Sequence, residues 1–125
     1  MVTSKVGRTS WVIADGWIPP GSTGDDPSLV SHEAACMLNA NDVPAHVNFT
    51  IFFSERDPLG PVELTIPARR ILHQNLERLP GAPVSRGVDY CVLIESDEPI
   101  VVQHTRLDSR QAANALMSTI AFPCD

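Results

Sequence analysis

The sequence predicts an all-β protein, an antiparallel β-sandwich with at most short helical turns. Apolar and polar residues alternate in several short segments, which is the period of a strand with one buried face. The 11 prolines and the turn signals interrupt the chain at short, fairly regular spacing, and no long segment has a helical period. The length of 125 residues predicts a single domain over residues 1–125, long enough to bury a core.

Three strands are predicted in the first half of the chain, at residues 9–15, 31–38 and 45–54. A loop separates the first two, because the proline- and glycine-rich residues 19–27 have little capacity for regular structure. The second strand places His32 and Glu33 on opposite faces, so both cannot serve one site unless a bulge intervenes. The third has the clearest alternation and should bury Phe49 and Ile51.

The period of two continues beyond the next turn, where Val62 and Leu64 should point into the core. A further strand is predicted to begin at Arg69, and residues 75–79 are predicted to form one helical turn.

The last clear strand signals are two apolar segments, residues 88–95 and 99–107. Residues 96–99 between them have the composition of a turn, which predicts a hairpin. Val92 and Val102 would then belong to the shared core.

The tail allows two interpretations. Asp108 with Gln111 three residues later has the spacing of a capping box that opens a helix. Residues 116–122 also alternate as a strand does. We expect a turn near residues 108–112 and a strand over 114–122, because an isolated two-turn helix is weak.

Residues 100–112 are the most distinctive stretch, since a β-branched apolar run becomes polar without any glycine or proline. Every second side chain of a strand shares a face, so four polar side chains would form a ladder about 20 Å long. These are His104, Arg106, Asp108 and Arg110. Such a ladder is suited to bind a polar molecule, and the alternative is a strand end whose Arg and Asp pair with each other and with solvent.

The formal charge of −6 disfavours a general binder of nucleic acid or anionic membranes. No metal-ligand spacing, phosphate loop or nucleophile motif occurs, so we predict neither an enzyme nor a cofactor. Cys36 and Cys91 lie in apolar runs and are expected to be buried thiols. No signal peptide or apolar membrane span is apparent, which predicts a cytoplasmic protein.

Other candidate binding residues lie in separate segments. Trp11 and Trp17 flank the first loop, and an aromatic face beside polar groups is what a sugar site needs, although both rings could instead fill the core. Arg69 and Arg70 directly follow a turn, where a guanidinium is free to bind an anion, a ligand or another subunit, or is simply solvated.

Several of these segments, taken together, resemble a known family, that of the sensory rhodopsin transducers. The matching segments are residues 7–11, 16–20, 31–33, 38–40, 67–70 and, above all, 102–112 with 114–116. The resemblance covers residues 7–122. The chain departs from the family in having Asp15 instead of Glu, and Trp17 and Phe122 instead of Tyr, which would trim a pocket without abolishing it.

The resemblance implies a small cytoplasmic β-sandwich that forms a homotetramer and has no catalytic centre. It also implies binding of small molecules, such as sugars or related metabolites, and a DNA-linked output has been proposed within the family. The residues themselves add one hint of assembly, since the segments 45–54 and 99–107 are apolar on both faces.

Two functions follow as predictions. The first is a sensor that binds a small polar ligand and signals through protein contacts. The second is a transducer that docks to a sensory rhodopsin by protein contacts alone, and the acidic charge suits the Lys- and Arg-rich cytoplasmic loops of membrane proteins. The predicted ligand site, or failing that the subunit interface, consists of His104, Arg106 and Asp108, helped by Trp11, His32 and Arg69.

Overall fold

The chain is all-β, as predicted. The computed structural model describes residues 5–125, and its strands are β1 (Arg8–Trp17), β2 (His32–Asn39), β3 (Ala45–Phe53), β4 (Leu59–Ile66), β5 (Arg70–Asn75), β6 (Asp89–Asp108), β7 (Ala115–Ile120) and β8 (Phe122–Pro123). Two short 3₁₀ turns occur, at Pro27–Leu29 and at Leu76–Arg78, and the second is the predicted helical turn. Across the described part of the chain, no helix is long and apolar enough to span a membrane.

Strand β6 organises the fold because it belongs to two groups of strands. Its first part pairs with β1 and β3, and its second part pairs with β2 and β7. Strands β4, β5 and β8 extend these groups by pairing with β3, β2 and β1 respectively, and all of these pairings are antiparallel. The fold is therefore two antiparallel halves that share one 20-residue strand.

The predicted hairpin within residues 88–107 is wrong, because both segments belong to the single strand β6. Strand β1 pairs Ser10 with Glu95 but Arg8 with Ile100, so Thr9 alone lies opposite residues 96–99 and β6 carries three extra residues here. Pro99 lies in this irregular stretch, where a missing backbone N–H costs no ladder hydrogen bond. The turn-like composition thus marks the crossing of β6 from one half to the other.

The core lies between the two halves. Of the predicted core residues, Phe49, Ile51, Val92 and Val102 are fully buried, and Val62 and Leu64 are partly buried against the same cluster. Each fully buried side chain of this size stabilises the fold by about 1.5–3 kcal/mol.

The strand in the tail and the two predicted thiols are more exposed than the core. The tail is a strand, as expected, but β7 is an edge strand that pairs only with β6, and all six of its residues are exposed. Cys36 and Cys91, predicted as buried thiols, are only half-buried. They occupy the outward positions of β2 and β6, between residues that point into the core.

Candidate functional site

A buried carboxylate lies at the centre of the polar residues. Glu33 is on the inner face of β2 and has no solvent exposure. It pairs across the strands with Arg106 of β6, whose Nε donates a hydrogen bond to Glu33 Oε2. A buried charge without partners would cost several kcal/mol, so the pairing is what permits this residue in the core.

Three further groups surround the other oxygen of Glu33. The Tyr90 hydroxyl donates to Oε1, and so does the Trp17 backbone N–H, at 3.1 Å. His104 Nε2 lies 3.4 Å from the same oxygen. Because Tyr90 belongs to the first part of β6 and His104 and Arg106 to the second, the carboxylate connects both halves of the fold with β1.

The partners of Glu33 decide its protonation. Burial raises the pKa of Glu33, but the contacts with His104, Tyr90 and Arg106 outweigh burial and leave that pKa below its ordinary value. Burial and the neighbouring Glu33 charge raise the pKa of Tyr90 far above its ordinary value. Glu33 is therefore a carboxylate at neutral pH, and Tyr90 is a neutral phenol that donates to it.

His104 is the least satisfied member of this group. Its Nε2 is buried and makes no hydrogen bond in the described part of the chain, because the 3.4 Å contact with Glu33 is not aligned as one. Glu77 Oε2 is the other buried side-chain atom of residues 5–125 in this condition. No group of three His, Cys, Asp or Glu side chains within these residues is placed to hold a metal ion.

Arg106 also reaches outward, to a bulge in β1. Its Nη2 donates to the Asp15 carbonyl at 2.9 Å and lies 3.8 Å from the Asp15 carboxylate. Ile13 pairs with Val92 while Gly16 pairs with Tyr90, so β1 carries one extra residue here. A bulge redirects the side chains it contains, and the Asp15 side chain is 87% exposed.

Gly16 is needed beside this bulge. A Cβ on Gly16 would lie 2.5 Å from the Tyr90 ring, which is shorter than any normal contact. Any larger residue would push Tyr90 away from Glu33. The Tyr90 ring therefore packs against the bulge on one side and donates to the buried carboxylate through its hydroxyl.

A pocket of about 430 Å³ opens beside the bulge, where β1, β3 and β6 meet. Asp15 and Asp89 supply carboxylates, and Phe52 and Phe53 supply aromatic rings. The Arg56 guanidinium lies 4.6 Å from the Phe53 ring centroid, so that ring already accepts a cation. We name the four residues Asp15, Phe52, Phe53 and Asp89 the acidic pocket.

The structure brings together only part of the predicted ladder. His104 and Arg106 share the Glu33 network, but their polar atoms face the carboxylate rather than a ligand. Asp108 does not pair with Arg106; it accepts hydrogen bonds from Arg110 Nε and Nη2 at 2.9 and 2.7 Å. The Arg110 guanidinium also lies 4.8 Å from the Trp17 ring centroid.

The remaining predicted residues lie apart from this network. Trp11 is a core residue whose Nε1 donates to the carbonyls of Arg8 and Ile100, at 3.0 and 3.2 Å. His32 points to the face of β2 opposite Glu33, as its position in the strand predicts. Arg69 lies in the turn before β5 and pairs with Asp42 at 3.2 Å. The adjacent Arg70 is level with Ile100 of β6, which is six residues or about 20 Å along the strand from Arg106.

Glu33 and Tyr90 are the central residues that sequence reasoning did not select. The signal for Glu33 was available, because alternation puts it on the same face as Ala35 and Met37, which must be buried. A charged residue on a core face needs a partner. Tyr90 shares the inward register of Val92, but nothing local shows that its hydroxyl meets a residue 57 positions away.

Comparisons with known proteins agree with this architecture. The family model described as "Anabaena sensory rhodopsin transducer" matches residues 6–123. The solved structure of the Anabaena sensory rhodopsin transducer is similar to the chain with 51% identity and a TM-score of 0.74, over 87% of this chain and 96% of that one. The crystal structure of Thermotoga maritima 1070 is similar with 33% identity and a TM-score of 0.84, over 94% and 96% of the two chains. No curated protein matches the sequence.

Proposed function

The chain belongs to the Anabaena sensory rhodopsin transducer family, and from this we propose that it is a non-catalytic cytoplasmic transducer that docks to a membrane receptor of the sensory rhodopsin type. In this proposal the partner is the basic cytoplasmic surface of the receptor. Lys and Arg are enriched in the cytoplasmic loops of membrane proteins, and the net charge of this chain is −6. Opposite charges of this kind favour association and orient it.

The observation that carries the proposal is the acidic pocket. Asp89 forms no ion pair with any residue the structure describes, and Asp15 is held only loosely by Arg106 at 3.8 Å. A Lys or Arg side chain of a receptor loop would find two carboxylates and the Phe52 ring, which are the groups that bind organic cations. The volume of about 430 Å³ is sufficient for one or two such side chains.

The acidic pocket is also connected to the interior. The same Arg106 guanidinium holds the Asp15 carbonyl and the Glu33 carboxylate. A receptor residue that displaces Asp15 therefore acts on Arg106, and through Glu33 on β2 and on Tyr90. This is a contiguous set of hydrogen bonds through which docking would reach both halves of the fold.

The test is binding to a purified sensory rhodopsin in lipid nanodiscs. The double variant Asp15→Asn, Asp89→Asn keeps the Asp15 carbonyl and removes both charges, and we expect its affinity to fall about tenfold or more, equivalent to about 1.4 kcal/mol. Its affinity should also depend less on salt concentration. The matched control, Asp25→Asn with Glu63→Gln, removes two exposed charges elsewhere and should change affinity less than about twofold.

Two results would contradict this function. If the wild-type chain does not bind the receptor, docking to a sensory rhodopsin is wrong. If both double variants weaken binding equally, net charge alone is responsible and the acidic pocket is not the docking site.

We also propose self-association into a homotetramer, through the tail of the chain. Four large apolar side chains are exposed there, Leu116, Met117, Ile120 and Phe122, with Leu116 71% exposed. Unpaired edge strands are normally covered, and a second copy of the chain is the occupant that the family resemblance implies. Light scattering should give the tetramer mass for the wild type and a smaller mass for Leu116→Lys, Ile120→Lys. A monomer mass for the wild type would refute the proposal.

A polar ligand at the ladder stays a prediction from the residues, and its identity as a sugar and a DNA-linked output stay predictions from the resemblance. One observation favours a polar ligand at the ladder, since His104 Nε2 has no hydrogen-bond partner in the described chain. Such a ligand would need an opening of the site, because Glu33 has no exposed surface and His104 almost none.

A further inference from the structure

A second pocket, of about 280 Å³, lies between the loop that precedes β2 and the 3₁₀ turn that follows β5. It shares no lining residue with the acidic pocket. Its polar side chains include His32, Asn75, Glu77, Arg78 and Arg86, and we name these five residues the second pocket. The docking function uses none of them.

Glu77 gives the first indication of a ligand. Its Oε2 is buried and has no hydrogen-bond partner within the described residues. Its other oxygen, Oε1, lies 3.6 Å from Arg86 Nη2. A buried acceptor without a donor is unfavourable. The Glu77 side chain lines the pocket and is 14% exposed, so a small turn of its carboxylate would let a bound hydroxyl group supply that donor.

His32 offers a second acceptor in the same pocket. Its Nδ1 lies 2.7 Å from the Val30 carbonyl oxygen, and a carbonyl only accepts, so Nδ1 carries the proton. In the neutral ring Nε2 is then the acceptor. The Asn75 side-chain amide, which forms no hydrogen bond among the described residues, adds both a donor and an acceptor.

The charge of the second pocket differs from that of the whole chain. Arg86 Nη1 is fixed by the carbonyls of Pro19 and Ser31, at 3.0 and 2.6 Å. The Arg78 guanidinium has no ion pair or hydrogen bond with any described residue. Two guanidiniums against one carboxyl leave a locally positive site on a chain of charge −6, which disfavours a metal ion or an amine and favours an anion.

We propose that the second pocket binds a small hydroxylated anion. Arg78 would bind the carboxylate or phosphate group, and Glu77 Oε2 and His32 Nε2 would accept hydrogen bonds from hydroxyl groups. The volume of about 280 Å³ limits the ligand to a molecule about the size of one monosaccharide. The proposal stands independently of receptor docking, because the two pockets share no residue.

The test is isothermal titration of the full chain with four probes: gluconate, glucose 6-phosphate, glucose and inorganic phosphate. We expect one of the two hydroxylated anions to bind with one site per chain, and glucose and phosphate to bind at least tenfold more weakly. Binding of gluconate alone would identify a carboxylate ligand, and binding of glucose 6-phosphate alone a phosphorylated one.

Variants assign the site. Arg78→Ala should weaken binding of the preferred anion at least tenfold, whereas Arg70→Ala, which changes an exposed arginine at the far end of β5, should leave it unchanged. Glu77→Gln should reduce the preference for the hydroxylated anion over inorganic phosphate. Thermal melting of each variant checks that the fold is intact. We expect unchanged melting for the two arginine variants, because Arg78 and Arg70 are both exposed.

The proposal is overturned if neither hydroxylated anion binds. It is also overturned if glucose binds as tightly as the anions, or if Arg78→Ala and Arg70→Ala weaken binding equally. None of these results would bear on receptor docking, which is measured with the acidic-pocket variants.

Discussion

Glu33–Arg106 and Asp108–Arg110 are both acid–arginine pairs beside the same end of β6, yet their surroundings differ. Glu33 is fully buried and its Arg106 partner is 20% exposed, and the pair joins strands β2 and β6. Asp108 and Arg110 are 24% and 44% exposed and lie two residues apart. The Glu33–Arg106 contact compensates the buried carboxylate for its lost hydration and holds β2 against β6. The Asp108–Arg110 contact remains largely hydrated and orders only the end of β6.

This difference shows why the ladder is not one functional unit. A strand that leaves a core passes through two environments, and the same charged side chains have different roles in each. The inner members complete a buried network, and the outer members are local contacts. Predictions that compare the two pairs therefore test the account directly.

The largest effect is expected for Arg106→Ala. The change leaves Glu33 buried without its charged partner and should reduce the free energy of unfolding by about 3–5 kcal/mol. Urea denaturation at pH 7 measures this. The matched control Arg110→Ala should give no resolvable change, and equal losses in both variants would erase the distinction between the pairs.

A smaller loss is expected for Tyr90→Phe. The variant keeps the ring against Gly16 but removes one donor to the Glu33 carboxylate, which should reduce the free energy of unfolding by about 1–3 kcal/mol. The same denaturation experiment applies. Unchanged stability would mean that the hydrogen bond from the Tyr90 hydroxyl to Glu33 Oε1 does not stabilise the fold.

The pH dependence of stability distinguishes Glu33 from Asp108. Because the pKa of Glu33 is lowered in the folded chain, its contribution is complete above the unfolded pKa of about 4.3 and is lost as the pH falls through the folded pKa. Glu33→Gln should therefore make the loss of stability below about pH 5 shallower. The pKa of Asp108 is also lowered, chiefly by its hydrogen bond to Arg110. Asp108→Asn should nevertheless change the loss of stability at low pH less than Glu33→Gln does, because the Asp108–Arg110 pair is solvated. A larger change in the low-pH loss of stability for Asp108→Asn than for Glu33→Gln would contradict this prediction.

The smallest effect concerns a third pair, which lies wholly on the surface. His46 Nδ1 donates to Asp97 at 2.8 Å, and this hydrogen bond raises the pKa of His46. The stability from this pair is present below about pH 6.5 and is lost as the pH rises through the folded pKa. An NMR titration should place the His46 midpoint above 6.5, and Asp97→Asn should return it toward that value. An unshifted wild-type midpoint would show that solvent screens even this contact.

The fold was predictable wherever the decisive signal was local. Alternation located the core positions Phe49, Ile51, Val92 and Val102, because side chains on one face of a strand share one environment. The hairpin failed because the composition of residues 96–99 cannot distinguish a turn from an irregular crossing within one strand. Only the pairing of β1 with both parts of β6 makes that distinction, and register is a long-range property.

The site was predictable only in part, for the same reason. His104 and Arg106 were identified from spacing, and the partner considered for Arg106 was Asp108, two residues along the same face. Its partner is instead Glu33, 73 positions away, because the direct cross-strand position places the two side chains against each other in the absence of water. The exposed Asp108 turns to Arg110.

The central claim is that Glu33 and Arg106 depend on each other, and a double-mutant cycle in the free energy of unfolding tests it most directly. The variants are Glu33→Met, Arg106→Met and the combination of both. Each single change strands a charge in or beside the core, whereas the double change removes both, so we expect a coupling energy of about 1.5–3 kcal/mol and a double variant that loses clearly less stability than the sum of the two single losses. A coupling energy below about 0.5 kcal/mol, with additive losses, would contradict it.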